Sequence, residues 1–378
     1  MLFILLLANI TAEYKLLAPV SQVFFYSILV LCIVVFIFNF DDFSLSLKKT
    51  PEIKGLILTY LIALLIFQSN FLTSDNVLYT ITKIAVFIII AVSVNSNYNF
   101  YLKRIPVFLS YIIVILIAIG WFVNKTGQNG NLIFGFANRN VACTVATAGF
   151  AGILFMRKKL RIVDYACMAL LFITVLYGGS RNALAILVLI IVVRYGFSFK
   201  IIVAGAAFLI LIMFILPEIG LESTAFDRVI GTFDGSVALD REEVIEIAKN
   251  MIAMRPWTGW GYNYSIPTYL GVNLGAHNGY LATLVNLGYP CGLTVLGIII
   301  IGSIKRLKLY RIGDKAINYY LAILISTLFA ANQESYLIGV NQFTTNYFFV
   351  AFVVLGMYKY KYHVKFNPKQ EYIFLRHK

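Results

Sequence analysis

The chain has 378 residues, of which 60% are hydrophobic and only 13% are charged, and its formal net charge is +14. A soluble domain averages about 25% charged residues, so this composition excludes an ordinary soluble protein. Apolar runs long enough to cross a bilayer as helices recur along the whole chain. They predict an all-α, polytopic membrane protein, because only helices or closed barrels satisfy the backbone inside lipid.

In chain order, the apolar runs predict about twelve membrane-spanning helices. The expected spans are residues 1–14, 18–39, 55–73, 77–95, 105–123, 139–156, 161–178, 180–196, 199–217, 277–301, 316–336 and 341–358. The first run lacks the basic start and the small-residue cleavage site of a signal peptide, so we interpret it as a short first span.

Most of the 31 basic residues fall in every second connection between these spans and in the C-terminal tail. Such an excess of Lys and Arg is typical of cytoplasmic loops, so we expect both termini to be cytoplasmic and no nucleic-acid partner. The chain then divides into N-terminal spans at 1–217, an extracytoplasmic loop at 218–276, C-terminal spans at 277–358 and a basic cytoplasmic tail at 359–378.

The long extracytoplasmic loop has the opposite charge balance, with eight acidic residues against four basic ones. Its stretch "LDREEVIEIAKNMIAMRP" predicts an amphipathic helix that is N-capped by Asp240, with Glu243 completing a capping box, and that ends at Pro256. We expect this helix to lie along the membrane surface or to pack on the ends of the spans.

Two arginines follow glycine- or asparagine-rich turns on the side of the membrane predicted to be outside. Arg181 follows a tight turn in "GGSRN", and "GFANRN" presents Arg139 and Asn140 in a similar way. Each arginine is either an interfacial side chain that reaches for water or a contact for an anion.

The loop helix carries a further arginine, Arg241, in its first turn, where a cation opposes the helix dipole. It either pairs with a neighbouring carboxylate or is held there to meet a phosphate. Arg255, which precedes "PWTGWG", is a weaker candidate of the same kind. Trp257 and Trp260 form either an interfacial aromatic belt or a surface on which sugars stack.

The segment "GAHNGYLATLVNLG" contains His277, followed by Asn278 and Tyr280. His277 is either an interfacial histidine bonded to the loop or a general base or donor in a site. Glu334, in "FAANQESYLIG", lies near the outer end of a predicted span. It either pairs with one of the arginines or acts in the site.

Charge is scarce at the middle of the predicted membrane, with Lys83 as the main exception. A proton-coupled transporter normally carries ionisable groups there, so the pattern favours an enzyme with an outer-face site. The sequence also has no Asp-x-Asp pair, no nucleotide-binding glycine loop and no metal-ligand cluster. These absences argue against a nucleotide-sugar donor, and we expect no metal and no cofactor.

Together these motifs resemble the signature region of the O-antigen ligase and polymerase superfamily. The resemblance rests on "DREEVIEIAKNMIAMRPWTGWGYNYSIP", on "GAHNGYLATLVNLGYPCGLTVLG" and on "GGSRNALAIL". The spacing from His277 to Gly288 matches the family's His-x10-Gly pattern, whereas the corresponding position after Arg181 is Val192 rather than glycine.

The resemblance implies a metal-independent glycosyltransferase of the GT-C type in the bacterial inner membrane, with its active site facing the periplasm. The donor would be an oligosaccharide on undecaprenyl pyrophosphate. The family contains polymerases, which extend a lipid-linked glycan, and ligases, which attach it to lipid A–core. We favour a polymerase, with a ligase and a flippase-like transporter of lipid-linked oligosaccharide as the alternatives.

Site roles follow as hypotheses from this resemblance. Arg181 and Arg241, with Arg255 in reserve, would bind the pyrophosphate, and His277 would meet the acceptor hydroxyl. Glu334 would orient His277 or an arginine. Membrane lipid, a chain-length regulator and a flippase are the expected partners besides the substrate.

Overall fold

The computed structural model of the chain describes residues 2–14, 17–38, 40–66, 74–123, 133–157, 159–196, 239–262, 266–267, 273–274 and 276–361. This part of the chain is helical, apart from one short antiparallel pairing between β1 (Ile266–Pro267) and β2 (Asn273–Leu274). The all-α fold expected from the composition is therefore confirmed for the described residues.

We number the helices of the described residues in chain order. They are α1 (Leu2–Ala12), α2 (Ala18–Phe38), α3 (Phe40–Lys49), α4 (Pro51–Ile66), α5 (Ser74–Ser96), α6 (Tyr98–Lys103), α7 (Ile105–Phe122), α8 (Arg139–Met156), α9 (Ile162–Tyr177), α10 (Arg181–Tyr195), α11 (Leu239–Met254), α12 (Gly279–Leu307), α13 (Lys315–Ala330) and α14 (Phe343–Lys361), with a 3₁₀ turn at Lys308–Ile312 between α12 and α13.

Four stretches among the described residues are long and apolar enough to cross a membrane, which agrees with a membrane protein. They are Asp75–Ser96, Ile105–Phe122, Arg139–Met156 and Gly279–Tyr310. The 11-residue α1 is only about 16 Å long, so it is too short to cross a hydrocarbon core of about 30 Å alone. The predicted span at 199–217 and the tail beyond 361 lie outside the described residues, and the number twelve stays a prediction.

Helix α8 is the most centrally packed helix of the first half of the chain, and small residues make this possible. It packs against α7, α9, α10 and α13. Gly152 lies against Ser110 and the Pro106 carbonyl of α7, and Gly149 lies against Ile113. Lipid tails are as apolar as the helix surfaces, so the hydrophobic effect contributes little to the association of helices in a membrane. Close packing of this kind then carries much of the stability.

Two charged side chains buried among the helices, Arg306 and Lys83, have polar partners. Arg306 of α12 contacts Glu52 of α4 at 3.3 Å and donates to the Phe352 carbonyl of α14 at 2.7 Å. Lys83, the charge expected at mid-membrane, donates to the Gly339 carbonyl at 2.8 Å. These contacts connect the N-terminal helices to α14 and to the segment that precedes it.

The amphipathic helix predicted in the long loop is α11, and its apolar face packs as expected. Val244, Ala248 and Ile252 are buried in a cluster that includes Ala282 and Val285 of α12. α11 begins at Leu239, so Asp240 lies inside the helix and the predicted N-cap position is wrong by at least one residue. The predicted end just before Pro256 is confirmed.

The span predicted at 277–301 is not one straight helix, because α12 breaks at Gly288. This residue has φ +68° and ψ 179°, a conformation far from that of a helix. A Cβ on Gly292 would lie 3.2 Å from the Cα of Leu284, although residues eight apart in a straight helix are about 12 Å apart. The first segment of α12 (279–287) therefore folds back against the second (289–307).

The loop at residues 256–261 fills the break and binds the backbone groups that the break exposes. The Trp260 amide donates to the Val285 carbonyl at 2.8 Å, and the Gly261 amide donates to the Asn286 carbonyl at 3.1 Å. In an unbroken helix the Asn286 carbonyl would accept a hydrogen bond from the amide of residue 290, but that residue is a proline and has no N–H. The loop thus satisfies carbonyls that α12 cannot satisfy itself.

The same loop approaches the break closely enough to require glycines on both sides. The Tyr289 amide donates to the Pro256 carbonyl at 2.6 Å. A Cβ on Gly288 would lie 2.7 Å from the Trp257 carbonyl oxygen, and one on Gly259 would lie 2.3 Å from the Asn286 carbonyl oxygen. This contact gives a physical reason for the glycine eleven residues after His277.

We predict that Gly288→Ala destabilises the protein by about 1–3 kcal/mol or more, because the new methyl group collides with backbone and because φ is positive. Gly297→Ala, in the second segment of α12, is the matched control, since its Cβ would meet nothing within 4 Å. The midpoint of thermal unfolding of the purified protein in detergent measures both. Equal midpoints for the two variants would contradict the role given to the break.

Candidate functional site

Three helix N-termini meet at the turn that follows α13, at residues 330–334, and we call this place the junction. Asn140 of α8 donates to the Glu334 carboxylate at 2.7 Å. Asn182 of α10 donates to the Ala330 carbonyl at 3.4 Å, and the Gly279 amide of α12 donates to the Ala331 carbonyl at 2.6 Å. The junction therefore joins segments that are far apart in the sequence.

A side chain caps each of these three helices at its N-terminus. The Asn138 side chain accepts from the Val141 amide in α8, and Ser180 accepts from the Ala183 amide in α10. Asn278 accepts from two amides at the start of α12. The N-terminus of each helix carries partial positive charge, and at the turn it faces the Glu334 carboxylate and the carbonyl oxygens of Ala330 and Ala331.

His277 and Glu334, predicted to act together, are in contact at the junction. His277 Nδ1 lies 3.8 Å from Glu334 Oε2, and the His277 side chain is 35% exposed. The other carboxylate oxygen accepts the hydrogen bond from Asn140, so this carboxylate bridges α8 and the start of α12. His277 has φ +43°, which is uncommon for a residue other than glycine and concentrates at functional sites.

Arg139 and Arg181 are the first residues of α8 and α10, next to the two asparagines that reach the junction. Both side chains are half-buried. The Nη1 atom of Arg139 is buried, and the described residues offer it no hydrogen-bond partner. A buried donor of this kind is costly to leave unpaired, so Arg139 stays a candidate for an anion contact. In the described residues, no group of three or more His, Cys, Asp and Glu is arranged to hold a metal ion.

The other predicted residues of the long loop lie around the break in α12. Arg255 places its guanidinium 4.0 Å from the centre of the Trp260 ring, and Trp260 Nε1 donates to the Met251 carbonyl at 2.8 Å. These contacts hold the loop on α11, whereas the Trp257 side chain is 69% exposed. Arg241 lies in the first turn of α11, and its side chain is outside the described part of the structure.

Asn278 and Tyr280, predicted to bind substrate, have hydrogen bonds that build the junction itself. Besides capping α12, Asn278 donates from Nδ2 to the Asn332 carbonyl at 3.1 Å. The Tyr280 hydroxyl donates to the Leu328 carbonyl at 2.8 Å. Both bonds attach the start of α12 to the end of α13. A direct substrate contact for either residue stays a prediction.

Glu13 was not among the predicted site residues, and it connects α1 to the start of α14 and to the segment before α8. Its carboxylate accepts from the Phe343 amide at 3.0 Å, and its backbone carbonyl accepts from the Ala137 amide at 2.7 Å. The side chain is buried. An acidic residue at the end of an apolar run was the available signal, since intramembrane carboxylates usually have a specific partner. The partner itself is 330 residues away.

Comparison with known families gives one match, to part of the chain. Residues 166–296 match the family described as O-antigen ligase, which confirms the resemblance seen in the motifs. The matched segment covers about a third of the chain and includes Arg181, Arg255, His277 and the break at Gly288. No curated protein matches the chain. Glu334 lies outside the matched segment, so its contact with His277 comes from the structure alone.

We predict that Asn278→Ala lowers stability by about 0.5–2 kcal/mol, because two amides at the start of α12 lose their cap. Asn278→Ser keeps an acceptor oxygen at the cap, so it should retain most of the stability. Thermal unfolding in detergent distinguishes the two variants. A fully stable alanine variant would show that the cap contributes nothing and would favour a role for Asn278 in substrate binding only.

Proposed function

We propose, on the premise that the chain belongs to the O-antigen ligase and polymerase superfamily, that it is a glycan polymerase of the bacterial inner membrane. In this proposal it transfers a glycan from undecaprenyl pyrophosphate onto the incoming lipid-linked repeat unit. The reaction takes place at the periplasmic face, uses no metal ion and yields a lipid-linked glycan that is one repeat unit longer.

The junction is the observation that supports this proposal most directly. A lipid pyrophosphate donor needs a place for a strongly anionic leaving group, and three capped helix N-termini with Arg139 and Arg181 beside them offer one. The acceptor hydroxyl loses a proton in the reaction, so a proton acceptor is also needed near the same place. His277, in contact with Glu334, is suited to that role.

In the proposed reaction a hydroxyl oxygen of the acceptor sugar attacks the anomeric carbon of the donor. The bond between that carbon and the pyrophosphate oxygen breaks, and undecaprenyl pyrophosphate leaves with the electron pair. Pyrophosphate is a good leaving group without a metal, so the protein chiefly has to position the reactants and to stabilise negative charge. Arg181, Arg139 and Arg241 would stabilise that charge.

The contact with Glu334 suggests which nitrogen of His277 takes the proton. Since Nδ1 faces the carboxylate at 3.8 Å, the neutral ring would carry its hydrogen there and leave Nε2 as the free base. The acceptor hydroxyl would pass its proton to Nε2 as the new glycosidic bond forms. Glu334 would then stabilise the protonated ring, and its bond to Asn140 would keep the carboxylate in place.

The polymerase proposal, rather than a ligase, rests on the modest size of the long loop. It also rests on a composition rich in Phe and Tyr, with 31 and 24 residues respectively, which is similar to that of divergent polymerases. A ligase would use the same donor and the same junction, and would differ in the acceptor.

We predict that His277→Ala lowers the transfer rate by about 10²–10⁴-fold, the usual contribution of a general base. Arg181→Ala should also abolish long-chain polysaccharide, and Arg181→Lys should restore little of it, because an ammonium cannot form the planar bidentate contact. Complementation of a strain that lacks the gene, followed by gel analysis of its surface polysaccharide, measures these effects.

Arg194→Ala is the matched control, because Arg194 lies in the last turn of the same helix, at the end away from the junction. It should support normal polysaccharide at the same level of protein in the membrane. Normal long chains from both His277→Ala and Arg181→Ala would show that the junction is not the active site.

The surface polysaccharide of the deletion strain shows whether the acceptor is the lipid-linked repeat unit, as for a polymerase, or lipid A–core, as for a ligase. If the protein is a polymerase, we expect the ladder of long chains to disappear while a single repeat unit remains attached to the lipid A–core. Loss of every attached sugar unit, including the single one, would contradict the polymerase proposal and indicate a ligase.

A further inference from the structure

A groove of about 330 Å³ lies between the second segment of α12 and α13, beginning at the junction. At its junction end it is lined by Tyr280, Phe329 and Asn332. Farther along, the lining is almost wholly aliphatic and comes from both helices. These residues are Ile300, Ile304, Leu307, Leu324, Ile325 and Leu328, with Ser303 as the polar exception.

The groove exists because α12 and α13, although consecutive, pack mainly against other helices. The second segment of α12 packs on α4, where Gly55 lies against Ile298, and Arg306 fixes it to α14. α13 packs on α8, α10 and α14. The two helices are connected at one end by the 3₁₀ turn and at the other by the bond between Tyr280 and Leu328.

The groove is continuous with the junction through residues that belong to both. Asn332 lines the groove, and its carbonyl accepts the hydrogen bond from Asn278. Tyr280 also lines the groove, and its amide is capped by Asn278, the residue next to His277. A molecule with its polar head at the junction therefore has an apolar path directly beside that head.

We propose that this groove holds the polyprenyl chain of the lipid pyrophosphate donor; the inference rests on the proposed function of the junction. The pyrophosphate lies at the helix N-termini, and the first isoprene units lie between α12 and α13. The groove matches the ligand in chemistry, since its wall is aliphatic and its polar groups are concentrated at the end where the head lies. The chain thereby orients the anomeric carbon toward His277.

Two isoleucines of α12 give a matched pair for the test. Ile304 and Ile301 are both 56% exposed, and only Ile304 lines the groove. We compare Ile304→Trp, which fills the groove, with Ile301→Trp, which adds the same ring outside it. Ile300→Trp is a second filling variant in case the first fails to fold, since Ile300 is also exposed and lines the groove.

The measurement is the Kd of the purified full-length protein in detergent for undecaprenyl pyrophosphate and for farnesyl pyrophosphate. The two ligands share the head and differ in the length of the tail. We expect the filling variant to reduce the preference for the long chain by about tenfold, equal to about 1.4 kcal/mol. Ile301→Trp should leave that preference unchanged. Because the two ligands enter the detergent micelle to the same extent with either variant, the comparison of the variants removes this effect.

Equal preferences in the two tryptophan variants would overturn the groove proposal while leaving the junction intact. Competition by phosphatidylglycerol as effective as that by undecaprenyl pyrophosphate would also overturn it, because the groove would then hold any acyl chain. If the unmodified protein binds neither pyrophosphate, the proposed function of the junction fails first, and the groove proposal falls with it.

Discussion

The arrangement around His277 depends on the broken backbone of α12. Gly288 turns the chain back, Pro290 cannot donate to the preceding turn, and two carbonyls are left without a helical partner. The loop at 256–261 supplies the missing amides at Trp260 and Gly261. In a low-dielectric environment an unpaired backbone group costs several kcal/mol, so the break and the loop are stable only together.

This break sets the direction of the short segment that begins at Asn278. Because 279–287 folds back on the rest of α12, its capped N-terminus points at the turn after α13 instead of continuing one straight span. α11 packs on the same segment through Ala248 and Ile252, so the long loop supports it from a second side. The N-termini of α8 and α10 reach the same turn through Asn140 and Asn182. The junction is thus held by hydrogen bonds at each of its three helix ends.

The fold-back also has a consequence for the space beside the junction. A straight α12 would be free to pack along α13 as an antiparallel neighbour. Instead its second segment is held by α4 and α14, through Arg306 with Glu52 and the Phe352 carbonyl. The gap that results has Tyr280 and Asn332 at its junction end and is lined mainly by apolar side chains. The fold-back of α12 thus borders both the junction and the apolar groove.

The all-α membrane character, the apolar face of α11 and the tight turn before Arg181 could be predicted from the sequence, because each depends on local composition and periodicity. His277, Glu334 and Asn140 could also be chosen as candidate site residues, since polar groups are scarce next to apolar runs. The bridge that Glu334 forms between Asn140 and His277, the capping role of Asn278 and the contact of Glu13 with Phe343 became visible only in the folded chain. Those contacts join segments separated by tens to hundreds of residues, and no local pattern encodes such pairings. The break at Gly288 is an intermediate case. Glycine and proline marked the place, but the fold-back depends on hydrogen bonds from a loop whose position only the assembled helices fix.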